Sequence, residues 1–379
     1  MIEVAVLQRV LPHYRLPFFA LLRETLEEKG ISLKVVYGQE LPGTVPRTVA
    51  PDVPWARHIE NRYLSILGTE MVWQPATREI SDADLVIVEH AGRLLINYLL
   101  MLRRKLGGPL LAYWGHGANL QASDRRSPGE GIKRALMRQV DAWFAYTDLS
   151  AEIVRRSAYP EDRLFVVQNA IENEEFRQAL ASISPVALRE ARERLGIRSD
   201  NVGLYCGGMT PEKRLEFLLE SCEEIRRRIA DFEVVFLGSG PDQARIERAS
   251  QKHGWIHYPG PVFGADRALF FALSRILLMP GLVGLVLVDS FHAGIPLFTT
   301  DIPIHSPEIA YLDNGVNGVV TPPTTARYAE AVAGFLLDPA LQERLQAGCR
   351  ESARRYTLKN MVDNFAGGVE ACLRLGRLR

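Results

Sequence analysis

Two hydrophobic periods alternate along the chain. Short, nearly continuous apolar runs occur at VAVLQ (residues 4–8), LKVVYG (33–38), DLVIVE (84–89), PLLAYWG (109–115), AWFAYT (142–147) and LFVVQN (164–169). Their length and lack of polar alternation predict strands of a parallel sheet buried on both faces. Helical patterns lie between them. In LPFFALLRETLEEKG (16–30), Phe18, Leu21, Leu22 and Leu26 form one stripe and Gly30 is a stop signal. This βαβ rhythm predicts a doubly wound α/β sheet. Residues 42–74 are Pro-rich and less regular, and are expected to form a large loop or excursion.

After residue 169 the strand signal stops, and the segment to about residue 200 is polar and helical in pattern. The rhythm then resumes with NVGLYCGG (201–208), FEVVFLGSG (232–240), WIHYPG (255–260), ILLM (276–279) and IPLFTTD (295–301). From 324 to 375 the pattern is almost wholly helical. Two Rossmann-like domains are expected: residues 1–175, and residues 176–360 with 176–200 as a linker. Residues 361–379 are expected as a final helix packing back on the first domain.

Composition narrows the function. The 379 residues are 47% hydrophobic and 24% charged, with 45 Lys and Arg against 45 Asp and Glu. Neutrality disfavours a dedicated nucleic-acid binder. The four cysteines, Cys206, Cys222, Cys349 and Cys372, form no CxxC pair, so neither a zinc pattern nor a disulfide framework is predicted, and a reducing compartment fits. The N-terminal MIEVAVLQ reads as a strand, and no apolar run is long enough to span a bilayer. The expectation is a cytoplasmic protein, soluble or peripheral on the inner face of the membrane. Charge is nevertheless uneven. From Arg93 to Arg138 nine Lys or Arg face only Asp124 and Glu130. Such a run is either a solvated helix face or a patch for anionic lipid or an anionic acceptor.

Three loops follow strands in the second half: GGMTPEKRL (207–215), GSGP (238–241) and PGLVGLVLVDSFHAGIP (280–296). Ligands of open α/β sheets bind at that edge. Lys213 and Arg214 open a helix, where cations beside free amides suit a diphosphate, though exposed first-turn residues would read the same. GSGP alone also serves as a plain tight turn. In the third loop, glycines let backbone amides approach an anion, while Asp289 would be repelled by phosphate and suits hydroxyl donors such as a sugar ring.

The order GGMTPEKR, FLGSGP, HYPGPV, PGLVGLVLVDSFHAGIP resembles the C-terminal domain of retaining glycosyltransferases of family 4, on the GT-B fold of two Rossmann-like domains facing a central cleft. VVQNAIENEEF (166–176) is similar to the family's domain-joining segment, and SPEIAYLDNGVNGVV (306–320) to its late PE…NG…V segment. The resemblance implies a nucleotide-diphosphate sugar donor, most commonly a UDP-sugar, bound by the second domain. It also implies an acceptor on the first domain, a glycan, lipid-linked or small molecule. Lys213 matches the family lysine on the diphosphate, and Asp289 the glutamate on the ribose. Gly284, Leu285 and Val286 match the backbone segment at phosphate and ribose, and Tyr258, Gly260 and Pro261 line the base. Gly238, Gly240 and Pro241 fall in the second donor loop.

Two departures stand out. Gly208 takes the place of a phosphate-binding arginine, for which Arg214 would compensate, and Gly281 takes the place of a glutamate that contacts the donor sugar. In the first half His116, within WGHG, resembles the family histidine near the donor sugar. His13, Arg15 and Glu89 end or follow strands and are candidates for the acceptor or sugar side, with loop or capping roles equally open. No cofactor and no metal are expected, and no DxD motif is present. A front-face transfer retaining configuration is the implied mechanism. A GT-B-type sugar-nucleotide epimerase or phosphorylase, and a non-enzymatic two-lobed ligand-binding protein, remain alternatives.

Overall fold

A computed structural model describes residues 1–41, 53–66, 68–117 and 136–377. It divides into two compact units, Met1–Glu172 with Leu358–Arg379, and Asn173–Thr357.

In the first unit, β1 (Ile2–Val10), β2 (Ile31–Gly38), β3 (Ala56–His58), β6 (Leu85–Glu89), β7 (Leu110–Gly115), β8 (Ala142–Ala145) and β9 (Leu164–Val166) form one sheet. The order is β3-β2-β1-β6-β7-β8-β9, and every pairing is parallel. Val4, Val6, Val35, Leu85, Ile87, Ala112 and Ala142 are buried, as an apolar strand covered on both faces requires. The helix α1 (Leu16–Glu27) buries Phe18, Phe19, Leu22 and Leu26, whereas Leu21 is only half-buried. The small antiparallel hairpin β4 (Arg62–Ile66) and β5 (Thr69–Trp73) lies in the segment expected to be irregular. Its residues 42–52 are outside the described residues. The helices α2 (Leu95–Lys105) and α3 (Asp148–Arg155) follow β6 and β8.

The second unit opens with α4 (Glu174–Ser182) and α5 (Pro185–Leu195). These occupy the expected linker, but Phe176 and Ala191 are buried in the core of this unit, so the pair is part of the domain. Its sheet has the order β12-β11-β10-β13-β14-β15. The strands are β10 (Val202–Cys206), β11 (Glu233–Leu237), β12 (Ile256–Gly260), β13 (Ile276–Leu278), β14 (Leu297–Thr300) and β15 (Gly318–Thr321), all parallel. The helices are α6 (Leu215–Arg228), α7 (Gln243–Lys252), α8 (Arg267–Leu273), α9 (Val286–Ala293), α10 (Thr325–Leu337) and α11 (Pro339–Arg355).

The last helix, α12 (Leu358–Arg377), belongs to the first unit and starts three residues before the expected boundary at 361. It buries Met361, Phe365, Val369 and Cys372. Phe365 stacks on Phe144 at 4.5 Å and meets Phe18 and Trp114 edge-on. All four cysteines are buried free thiols. Among the described residues no helix is long and apolar enough to cross a membrane.

Strand order reverses direction between β1 and β6 in the first sheet, and between β10 and β13 in the second. These two switch points are where loops at the strand C-termini diverge and leave a crevice.

Candidate active site

At the second switch point, the loop after β10 makes a short turn over Pro211–Lys213. The loop after β13 is zipped to it: the Leu282 amide donates to the Glu212 carbonyl at 2.9 Å, and Lys213 Nζ donates to the Leu282 carbonyl at 2.5 Å. Gly281 is required by this approach. A Cβ there would lie 2.3 Å from the Glu212 carbonyl oxygen and 2.4 Å from the Lys213 carbonyl carbon. No side chain fits, so the glutamate of the family pattern is sterically excluded from this backbone. Gly208 is the opposite case, with nothing within 4 Å of a Cβ.

Burial lowers the Lys213 ammonium to about 8, against the smaller opposing effect of Glu212. The group is half-buried and beside the start of α9, which no side chain caps. Gly284, Leu285 and Val286 are half-buried there, and only Ser306 Oγ comes within 4 Å of a Gly284 Cβ. Uncapped helix amides next to a lysine make an anion site.

His305 fixes this loop from below. Its Nδ1 accepts from the Val283 amide at 3.2 Å, and its Nε2 faces the Thr300 carbonyl at 2.8 Å. That pattern assigns the neutral tautomer protonated on Nε2, in keeping with a pKa lowered by burial.

Arg214 was expected to replace the missing arginine at Gly208. It takes a left-handed backbone (φ 55°) at the start of α6, donates to Thr300 Oγ1 at 3.0 Å, and lies 4.2 Å over the Phe217 ring. Thr300 Oγ1 in turn donates to the Pro280 carbonyl at 2.6 Å. The guanidinium is thus committed to bracing the end of β14.

Asp289 requires a correction. Instead of presenting a free carboxylate for ribose hydroxyls, it is 1% exposed with both oxygens engaged. Oδ1 accepts from Asn173 Nδ2 at 2.6 Å and Oδ2 pairs with Arg267 Nη1 at 2.6 Å. Burial raises its pKa and Arg267 opposes the rise. A carboxylate at 1% exposure persists only with such partners. Arg267, which no sequence motif singled out, also lies over the Phe176 ring.

The GSGP loop packs onto the first one. Gly238 and Gly240 (φ 137° and 152°) have no room for a Cβ, which would fall 1.9 Å from the Gly207 carbonyl oxygen and 2.5 Å from that of Met209. The Met209 amide donates to the Ser239 carbonyl, and the Asp242 amide, just after Pro241, donates to the Met209 carbonyl. Tyr258 donates to the Gly238 carbonyl at 2.8 Å, tying β12 to the same cluster. Beyond Gly260 and Pro261, Phe263 is 77% exposed, an open aromatic face that sequence reasoning passed over.

At the first switch point, Arg15 is 4% exposed. Its guanidinium lies 5.2, 5.6 and 5.4 Å from the Trp114, Tyr146 and Tyr14 rings, with Nη1 3.8 Å from Met361 Sδ. Aromatic faces and a sulfur hold this cation. His116 follows β7 and meets Tyr146 edge-on at 4.3 Å. Desolvation and then the Arg15 charge lower its pKa, while the residue as a whole keeps access to solvent. Glu89 is half-buried at the end of β6 and accepts the Arg9 amide at 2.8 Å. Burial raises its carboxyl, against the Arg9 hydrogen bond and the charges of Arg9 and Arg15. His13 is exposed and touches only Tyr14, edge-on at 6.0 Å among the ring contacts. Arg15, His116 and Glu89 thus share one sheet edge, and His13 is exposed on the same turn as Arg15. Among the described residues no group of His, Cys, Asp or Glu is arranged to hold a metal ion.

Residues 200–338, the stretch carrying all three strand-end loops of the second unit, match the family model for glycosyl transferases group 1. The matched stretch is similar to group 1 glycosyltransferases, and the chain is a glycosyltransferase. It is 25% identical over 297 residues to an alpha-D-kanosaminyltransferase of Streptomyces kanamyceticus, covering 76% of this chain and 70% of that protein. It is also 25% identical over 150 residues to a phosphatidyl-myo-inositol mannosyltransferase of Mycobacterium leprae, covering 38% and 40%. Among solved structures, HepE of Anabaena in complex with UDP aligns with a TM-score of 0.69 at 12% identity, covering 98% of this chain and all of that one. A glycosyltransferase of Rickettsia africae aligns with a TM-score of 0.70 at 14% identity, covering 98% of each chain. These likenesses establish the GT-B fold of this glycosyltransferase.

Proposed function

We propose that the second unit binds a nucleotide-diphosphate sugar, a UDP-sugar in particular, for transfer of a hexose with retention to a glycan, lipid-linked or small-molecule acceptor held by the first unit. The supporting observation is the convergence of the half-buried Lys213 ammonium with the uncapped, glycine-led start of α9 at one switch point. In this reading the bond from C1 of the sugar to the diphosphate oxygen breaks. The acceptor oxygen bonds to C1 on the same face, and its proton passes to the departing phosphate. Charge develops on that phosphate, and Lys213 with the α9 amides stabilises it. The reading assigns that charge to protein cations and dipoles and predicts no need for a metal. Arg267, kept rigid by Asp289, is the second cation of the same unit.

The HepE complexes contain UDP and, in one case, UDP-glucose, which favours a uridine donor here by analogy. The test is Lys213→Ala assayed for transfer and for UDP binding. Turnover is expected to fall about 10²- to 10³-fold, with a far smaller change in UDP affinity. Equal losses in both would remove Lys213 from the transition state. Turnover of UDP-sugar without acceptor would favour the epimerase alternative.

A further inference from the structure

Arg15 is a buried cation to which the described residues supply no oxygen. It is 4% exposed, and its guanidinium donates, among the described residues, only to Met361 Sδ at 3.8 Å. The Trp114, Tyr146 and Tyr14 rings lie around it at 5.2, 5.6 and 5.4 Å. An apolar side chain would fill such a space without the desolvation that a buried guanidinium suffers, and cation–π contacts offset only part of that cost. The turn that carries the residue is rigid. Its amide donates to the Pro12 carbonyl at 2.9 Å, and Pro17 stands in the first turn of α1, so two fixed φ angles bracket Arg15.

The acid whose charge reaches Arg15 does not pair with it. Glu89 Oε1 accepts the Arg9 amide at 2.8 Å, and no ion pair among the described residues involves Arg9 or Arg15. Burial raises the Glu89 carboxyl, which weakens it further as a counter-charge. These three groups leave surplus positive charge at the ends of β1 and β6. His116, exposed after β7, meets the same Tyr146 ring edge-on at 4.3 Å and feels the Arg15 charge. A planar fork of N–H groups with no oxygen partner, shielded from water, is complementary to an oxyanion.

We propose that Arg15 binds an oxyanion of the acceptor, a carboxylate or a phosphate, and so selects anionic acceptors. This rests on the reading in which the first unit holds the acceptor. A neutral acceptor would cover the guanidinium and leave it unpaired, so selectivity comes from the penalty on the wrong ligand.

The test uses the full chain with saturating UDP, which fills the candidate diphosphate site of the second unit. Inorganic phosphate or acetate is titrated while the His116 imidazole is followed by NMR, with chloride at equal ionic strength as the control. At least one of the two anions should shift His116 saturably, and the tighter one names the group. Arg15→Met keeps an unbranched apolar stem among the rings. It should weaken anion binding at least about tenfold, yet melt no lower than the wild type, because a buried charge is removed. Arg15→Lys keeps the charge without the fork and should bind in between. No saturable shift with either anion overturns the proposal, as does a shift that Arg15→Met retains. A shift seen only in the absence of UDP also overturns it, since the site would then belong to the donor diphosphate. Failure of the transferase reading looks different: anion binding at Arg15 without sugar transfer from UDP-sugars to any acceptor would remove the acceptor and leave the anion site. Equal kcat/KM for the neutral and anionic forms of one acceptor would do the reverse.

Discussion

The two switch points are built from the same parallel-sheet framework but are held together by different chemistry. In the second unit the side chains around the crevice are tied by hydrogen bonds: Lys213 on Leu282, Arg214 on Thr300, His305 between Val283 and Thr300, and Arg267 and Asn173 on Asp289. In the first unit the central cation, Arg15, lies among aromatic rings and a methionine sulfur, and His116 reaches solvent. A hydrogen-bonded frame fixes geometry to a few tenths of an ångström, whereas cation–π contacts hold a charge with less directional demand. On the reading proposed above, the first kind suits an invariant diphosphate and the second an acceptor that differs between enzymes of one fold.

The sharpest way to break this comparison is to remove a partner from the wired site. Arg267→Gln leaves Asp289 buried without its opposing charge, and the destabilisation is expected to be about 3 to 5 kcal/mol. Chemical denaturation measures it directly. Asp289→Asn combined with Arg267→Gln should cost less than the sum of the single changes, because each single change strands the other group. Wild-type stability for Arg267→Gln would mean that the pair is solvated and the wired description is wrong.

A smaller effect separates the two glycines that depart from the family pattern. Gly281→Ala forces a methyl group against the backbone of Glu212 and Lys213, and a loss of about 1 to 3 kcal/mol is expected, with reduced donor use. Gly208→Ala adds the same atom to open space and should leave the thermal midpoint unchanged. If both tolerate alanine equally, the loop after β13 is not pinned to the Lys213 turn as described.

The glycine pair also shows what could be read from sequence. The strands were legible because a parallel sheet covered on both faces produces unbroken apolar runs. The edge strand β3, the β4–β5 hairpin and β15 escaped because short, partly polar strands carry no such signal. Lys213 was singled out from its position after a glycine pair, and the structure brings its ammonium to the loop after β13. For Asp289 the sequence did not show the buried partners, Asn173 and Arg267, which lie 116 and 22 residues away. Nothing local marks a long-range ion pair. The segment 176–200 was misread for a related reason: polar helices with few buried residues look like a linker until Phe176 and Ala191 are seen in the core. Within the basic run, Arg125, Arg126, Lys133 and Arg134 fall outside the described residues.

The smallest expected effect is in pH dependence, and it bears on Lys213 alone. Burial brings its ammonium from 10.5 to about 8, so the group is charged below that pH and neutral above it. Its proposed task needs the charged form. Donor kcat/KM, which reports groups of the free enzyme, should therefore be level below about 8 and fall as pH rises through it, approaching tenfold per unit. Bound diphosphate favours the ammonium, so the matching limb in kcat should move to higher pH. Lys213→Arg keeps a charge that does not titrate in this range and should erase the limb even if it slows the reaction. A kcat/KM that stays level well past pH 9 in the wild-type enzyme would mean that the lysine is not desolvated in solution, and the contrast between a tightly wired site and an aromatic one would lose its main electrostatic support.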